Sequence, residues 1–165
     1  MVVCATIIFL KVDKMQKNID SIGRYISILY RSGAMYFNKN FNSGNIGSGQ
    51  YTFLLFLENN EGVTQEEMTC KLIIDKGTTA KALKKLEEEG LVKRSVDEND
   101  KRAYRVYLTA DGKDIIKDIR NVLLEWNDIL TSDFTEEEKK MALDLLQRMV
   151  ENKKKKRSKE ITNDR

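Results

Sequence analysis

Apolar residues recur along this chain in two rhythms, and the changes of rhythm mark its elements. Ile22, Tyr25/Ile26, Leu29, Gly33 and Tyr36/Phe37 fall at i, i+3/i+4, which predicts an amphipathic helix over residues 17–39. The FNSGNIGSG stretch after it has the composition of a loop. Tyr51, Phe53, Leu54, Leu55 and Leu57 predict a short, very apolar helix buried on most sides. Thr64-Gln65-Glu66-Glu67 is a capping box, in which Thr64 and Glu67 satisfy each other's orphan amides, and it opens a short helix to about Leu72. Asp75 suits an N-cap for a helix over 76–89, and Gly90 suits its left-handed end. The period then drops to two: Leu91–Val96 and Ala103–Leu108 alternate around Asp97-Glu98-Asn99-Asp100, a β-hairpin pattern. Helical spacing returns after Thr109, with Ile115, Ile116, Ile119, Val122, Leu123, Trp126 and Ile129/Leu130 in one broad stripe over 110–131. A second capping box, Thr135-Glu136-Glu137-Glu138, opens a last helix over 135–151 carrying Met141, Leu145 and Met149. No internal repeat is visible.

The two ends do not share this pattern. Residues 1–14, MVVCATIIFLKVDK, are apolar and β-branched. They lack the basic start and cleavage site of a signal peptide and are too short to span a membrane. Two readings stay open: Met15 is the natural start, or this N-terminal extension packs on the body as a strand or helical turn. Residues 152–165 form a basic tail whose lysine run is expected to fray.

Composition narrows the chemistry. The 165 residues are one domain's worth, and 41% apolar with 33% charged residues fits a helix-rich globular protein. There is no histidine and no proline. The missing imidazole removes histidine triads, imidazole base chemistry and the commonest zinc ligand. Two cysteines, Cys4 and Cys70, are too few for a disulfide framework and fit a reducing cytoplasm. No nucleophile–base pair, metal cluster or phosphate-cradling glycine loop is visible, so neither an enzyme nor a bound cofactor or metal is expected. The net charge of +3 is uneven: residues 153–165 hold seven basic and two acidic residues, leaving 22 basic against 24 acidic in the body. Affinity for nucleic acid must therefore come from a local patch or from the tail.

Short helix, turn, capped helix and hairpin, in that order, is a winged helix-turn-helix. On the 76–89 helix, Thr79, Ala82, Leu83, Leu86 and Gly90 fall on a core face, and Gly77, Thr78, Lys81, Lys84 and Lys85 gather opposite. Such a helix can enter a major groove N-terminus first, where free amides favour phosphates and hydroxyls and lysines reach base edges. The candidate contacts are Lys76, Gly77, Thr78, Thr79, Lys81, Lys84 and Lys85, although Thr79 also lies on the core face. Glu87, Glu88 and Glu89 fall in the last turn, behind that surface. Any amphipathic helix has a solvated face, so the reading rests on the whole arrangement.

That arrangement carries a resemblance. Leu86-Glu87-x-x-Gly90-Leu91-Val92-x-Arg94, Asp97-x-x-Asp100-x-Arg102 and Leu108-Thr109-x-x-Gly112 resemble the MarR family of bacterial transcriptional regulators, and the likeness extends over roughly residues 17–150. It implies a mainly α fold with a small β-hairpin wing: a MarR-like domain over 15–151, its winged helix-turn-helix over about 48–109. That unit would be flanked by N- and C-terminal dimerisation helices at 17–39, 110–131 and 135–151. It implies a homodimer on a palindromic double-stranded DNA operator, most often as a repressor, with half-sites near one helical turn apart. In the wing, Arg102 would reach into the minor groove with Asp100 orienting it, beside Lys101; Arg94 joins the candidate contacts. Lys101 stands where many relatives have a second arginine, and the proline often found in this turn is missing. The alternative to dimerisation is that the apolar stripes pack on each other within one chain.

The family often responds to a small aromatic or phenolic ligand, and Tyr25, Tyr30, Phe53, Phe56 and Trp126 are candidates to line its pocket; aromatics at helical spacing also serve as core. A peroxide-sensing branch uses a cysteine in the first long helix, and residues 17–39 contain none. Cys70 has Glu66 and Glu67 nearby, which disfavours a reactive thiolate. The tail reads either as an arm adding phosphate contacts or as a solvated end. A different class of function, a winged-helix module for protein contacts without specific DNA binding, fits the modest charge surplus of nine basic against seven acidic residues in 75–105.

Overall fold

The computed structural model describes residues 21–98 and 100–163, which divide into two units, one up to Leu123 and one from Leu124 on. Residues 1–14, and the first four residues of the helix expected over 17–39, lie outside the described residues.

In the first unit Ser21 caps helix α1 (Ile22–Asn40), its Oγ accepting the Arg24 amide at 3.2 Å. Helix α2 (Tyr51–Glu58) follows a loop, then strand β1 (Val63–Thr64), helix α3 (Gln65–Leu72) and helix α4 (Lys76–Glu88). Strands β2 (Val92–Val96) and β3 (Tyr104–Leu108) form the hairpin, and helix α5 (Ala110–Leu130) leaves it. The sheet has the order β1-β3-β2, antiparallel throughout, with Val63 opposite Val106 and Arg94 opposite Val106 on the other side. The short first strand is an addition to the predicted hairpin. Two residues, the second of them the N-cap of a capping box, are too few for a periodic signal.

Local chemistry sets the boundaries. The Thr64–Glu67 box is complete: the Thr64 amide donates to the Glu67 carboxylate at 2.7 Å, and the Glu67 amide to Thr64 Oγ1 at 3.2 Å. The turn after α3 is closed by Ile73 in the left-handed region at φ 57°, an unusual place for a β-branched residue. Gly90 takes φ +70° beyond α4, as expected. One core fills the unit, with Phe37, Phe53, Leu54, Leu57, Met68, Leu83, Leu86, Val106 and Ile119 nearly sealed from solvent. The glycine-rich loop contributes to it as well: Phe41 and Ile46 are buried, and Phe41 stacks on Phe37 with ring centroids 4.8 Å apart. Burying such side chains stabilises by roughly 1.5–3 kcal/mol each.

The second unit holds the end of α5 and helix α6 (Glu136–Asn163). Its capping box is also complete, the Thr135 amide donating to Glu138 at 2.8 Å. The expected fraying of the lysine run is corrected: α6 continues through that run to Asn163. Lysine, arginine and glutamate are good helix formers, and the stretch contains no glycine or proline to stop it.

Candidate nucleic-acid interface

Helix α4 is seated by one face. Thr79, Ala82, Leu83 and Leu86 are buried, while Lys76, Gly77, Thr78, Lys81 and Lys84 are exposed and Lys85 is half-buried. Asp75 caps it by accepting the Thr78 amide at 2.8 Å. The Thr78 hydroxyl, then its amide, hold the Asp75 carboxyl below its ordinary range. Thr79 must be withdrawn from the candidate contacts. Its hydroxyl donates to the Asp75 carbonyl at 3.0 Å and its side chain is fully buried, so nothing of it remains to reach a base.

Three of the exposed-face lysines have acidic partners. Lys76 lies 3.1 Å from Glu66 of α3, Lys84 3.7 Å from Glu88, and Lys85 2.5 Å from Glu89. The Lys85 bond lowers the Glu89 carboxyl from its ordinary value. Exposed pairs such as Lys76–Glu66 and Lys84–Glu88 hold weakly and can exchange partners. Arg94 lines the cleft beside the wing. Its Nε is buried 3.3 Å from a Glu87 carboxylate oxygen, without hydrogen-bond geometry, so it braces β2 against α4 and does not stand free.

The wing is held by polar bonds. Asp97, buried at the end of β2, donates its amide to the Ala103 carbonyl at 2.9 Å. One carboxylate oxygen accepts the Asp100 amide at 3.2 Å and the other lies 2.6 Å from Arg105 Nε. Asp100 in turn accepts the Arg102 amide on its carboxylate at 2.9 Å. Asp100 therefore steadies the Arg102 backbone. Lys101 and Arg102 are exposed, in the turn ahead of β3 and not on the strand. A cleft of about 580 Å³ runs between the start of α3, α4 and the wing, lined among others by Glu66, Leu83, Arg94, Asp97, Asp100 and Arg102.

Helix and wing meet at one joint. The Leu91 amide donates to Leu86 O at 2.9 Å, and the Thr109 amide to Leu91 O at 3.1 Å. Thr109 Oγ1 donates to Gly90 O at 2.7 Å and accepts the Gly112 amide at 3.0 Å. A Cβ on Gly112 would sit 2.0 Å from Leu91 O, so α5 can approach the joint this closely only with glycine there. Two of the quoted motifs thus describe the two sides of one contact.

The aromatic candidates differ in burial. Phe53, expected to line a pocket, is sealed in the core instead. Tyr25 and Tyr30 stand exposed on α1, Tyr30 at 75%. Phe56 is half-buried with the Lys71 ammonium 6.0 Å from its ring centre, and Trp126 belongs to the second unit. Arg105 and Glu61 carry structural roles that no motif in the sequence marks. Glu61 accepts the Leu108 amide at 3.2 Å and pairs with Lys113 at 3.2 Å. Arg105 was findable in principle: once the hairpin register is fixed, it lies diagonal to Asp97 on one face. Among the described residues no group of acidic or cysteine side chains could hold a metal ion, and no helix is long and apolar enough to cross a membrane.

A short capped helix, a tight turn, a second capped helix with a polar face, and a hairpin beside it define a winged helix-turn-helix. The family model described as "MarR family" matches residues 46–104. The HTH-type transcriptional regulator YybA of Bacillus subtilis (strain 168), itself uncharacterized, is 30% identical over 133 residues, 81% of this chain and 89% of the relative. The chain belongs to the MarR family of transcriptional regulators. Solved structures agree: a MarR transcriptional regulator from Methanosarcina mazei Go1 superposes with TM-score 0.77 at 44% identity, over 81% of this chain and 96% of that one. A MarR-family regulator from Listeria monocytogenes complexed with a 26mer DNA gives TM-score 0.75 at 29% identity, over 83% and 91% of the two chains.

Proposed function

We propose that this regulator works as a homodimer on a palindromic duplex operator, with α4 in the major groove and the wing in the minor groove. The observation that carries the reading is α4 itself, whose buried face is set against an exposed face of Gly77, Thr78, Lys76, Lys81 and Lys84. The DNA bound to the Listeria relative supports it. Arg102 supplies a guanidinium at the wing, which suits a narrow, negative groove better than an ammonium. Dimerisation is supported by the apolar side chains that each unit presents on its own helices among the described residues, including Ile22, Ile26 and Leu29 of α1 and Leu145 and Val150 of α6. Repression, relieved by a small aromatic or phenolic ligand, completes the reading.

A gel shift with the duplex upstream of its own gene tests it. Arg102→Ala and Lys81→Ala are each expected to weaken binding by about tenfold, the loss of one charged contact. Unchanged binding in the double variant would sink the assignment. The Lys76–Glu66, Lys84–Glu88 and Lys85–Glu89 pairs favour one second reading, a winged-helix module that contacts a protein. Purified protein that ignores every genomic duplex at low salt, yet retains one partner protein, decides for that reading.

A further inference from the structure

The guanidinium of Arg105 joins two segments far apart in sequence. Its Nε lies 2.6 Å from the buried Asp97 carboxylate, and its Nη1 donates to the Gly62 carbonyl at 2.6 Å. Gly62 belongs to the turn just before β1, and its amide donates back to Val106 O at 2.9 Å. Its φ of +77° and the Tyr107 ring, 3.3 Å from where a Cβ would stand, restrict that position to glycine. The turn is thus a fixed anchor on β3, and Arg105 ties the wing to it.

From there a chain of bonds leads outward. Asp97 divides its two oxygens between Arg105 and the Asp100 amide, and Asp100 holds the Arg102 amide. Asp97 is 6% exposed at its side chain and Arg105 38%, the Asp97–Asp100 link is half-buried and the Asp100–Arg102 link is exposed, so shielding falls off outward along the chain of bonds. A shielded carboxylate with a planar, two-pronged partner is held in direction as well as in distance. Lysine, with a single nitrogen, could reach Asp97 or Gly62 O without fixing both.

We propose that Arg105, acting through Asp97 and Asp100, is a positioning residue that sets where the wing presents Arg102. It touches no nucleic acid itself. This rests on the DNA-binding reading above, and it adds a residue on the far side of the wing that governs the groove contact. The wing is then a strut fixed at the Gly62 turn, and weakening the strut lowers affinity through Arg102 alone.

The test is a double-variant cycle on the full chain, with the genomic duplex fragment that the purified wild-type protein retains as probe. Arg105→Lys is expected to weaken binding by about fivefold to tenfold, and Asp97→Asn by a similar factor. Neither should weaken binding further once Arg102 is alanine, whereas Lys81→Ala should add its full penalty in every background. A merely structural defect would lower binding in all backgrounds, Arg102→Ala included. Wild-type affinity in both Arg105→Lys and Asp97→Asn, or penalties that add fully to Arg102→Ala, would overturn the positioning role while leaving the DNA reading intact. Failure to retain any duplex, or indifference to Arg102→Ala, would bring down both together.

Discussion

Helix α4 and the wing flank the same cleft, yet opposite kinds of force hold them. The helix is seated by apolar burial, with Ala82, Leu83 and Leu86 pressed into the core. The base of the hairpin shares that core through Val92, Val106 and Leu108, but its tip is seated by Asp97, Arg105 and backbone amides, with Tyr104 and Val96 exposed around them. Apolar burial is insensitive to direction, whereas a chain of hydrogen bonds specifies angles. The helix is therefore fixed in place as part of the fold, and the wing is aimed by a few replaceable bonds. Changes in the core should abolish the molecule, and changes in the wing should retune it.

The largest effect belongs at the joint the two regions share. Gly112→Ala places a methyl 2.0 Å from Leu91 O and must part α5 from the joint. A loss of about 4 kcal/mol or more is expected in a denaturant titration followed by circular dichroism; Gly49→Ala, with nothing within 4 Å, is the matched control and should cost far less. Leu83→Ala comes next, at about 2–5 kcal/mol of global stability, because it empties fully buried volume beneath α4. Asp97→Asn should be milder, about 1 kcal/mol, but uneven. Amide exchange should quicken at Asp97, which donates across the wing to Ala103 O, and at Ala103, which donates to Asp100 O, both at 2.9 Å, while the α4 amides keep their protection. Uniform quickening would erase the contrast between the two regions.

The smallest effect is with pH. The Thr64 amide holds the Glu67 carboxyl below its ordinary value, and Thr78 does the same for Asp75. Groups lowered in the folded state stabilise fully above their unfolded values, about pH 4, and lose that contribution as pH falls through the folded values. The caps of α3 and α4 should thus be intact at pH 6 and weaken only in acid. A thermal midpoint that falls on raising the pH from 5 to 7 would contradict this.

Much of the fold was legible because caps and periods act locally. Thr64, Asp75, Gly90, Thr109 and Thr135 announce element boundaries within four residues of themselves, and the structure keeps each of them. What was hidden depends on the third dimension. Nothing in the period of α4 shows that the Thr79 hydroxyl is spent on a carbonyl one turn back. The burial of Phe41 and Ile46 in a glycine-rich loop, and the bridge from Arg105 to Gly62, are set by packing between distant segments. Arg94 illustrates the middle case: its motif marked it as important, and only its distance to Glu87 showed that it works as a brace.

The lysine–glutamate pairs of α4 give the free protein an ion-exchange character. Lys76, Lys84 and Lys85 already carry carboxylates as their own counterions. In the proposed complex each lysine reaching a phosphate displaces a cation from the duplex but strands a glutamate that recruits one back. The net number of salt ions set free per contact is then below the roughly 0.9 expected for a bare ammonium on duplex DNA. A plot of log affinity against log salt should therefore be shallower than the lysines of α4 alone would give, and Glu66→Gln should steepen it.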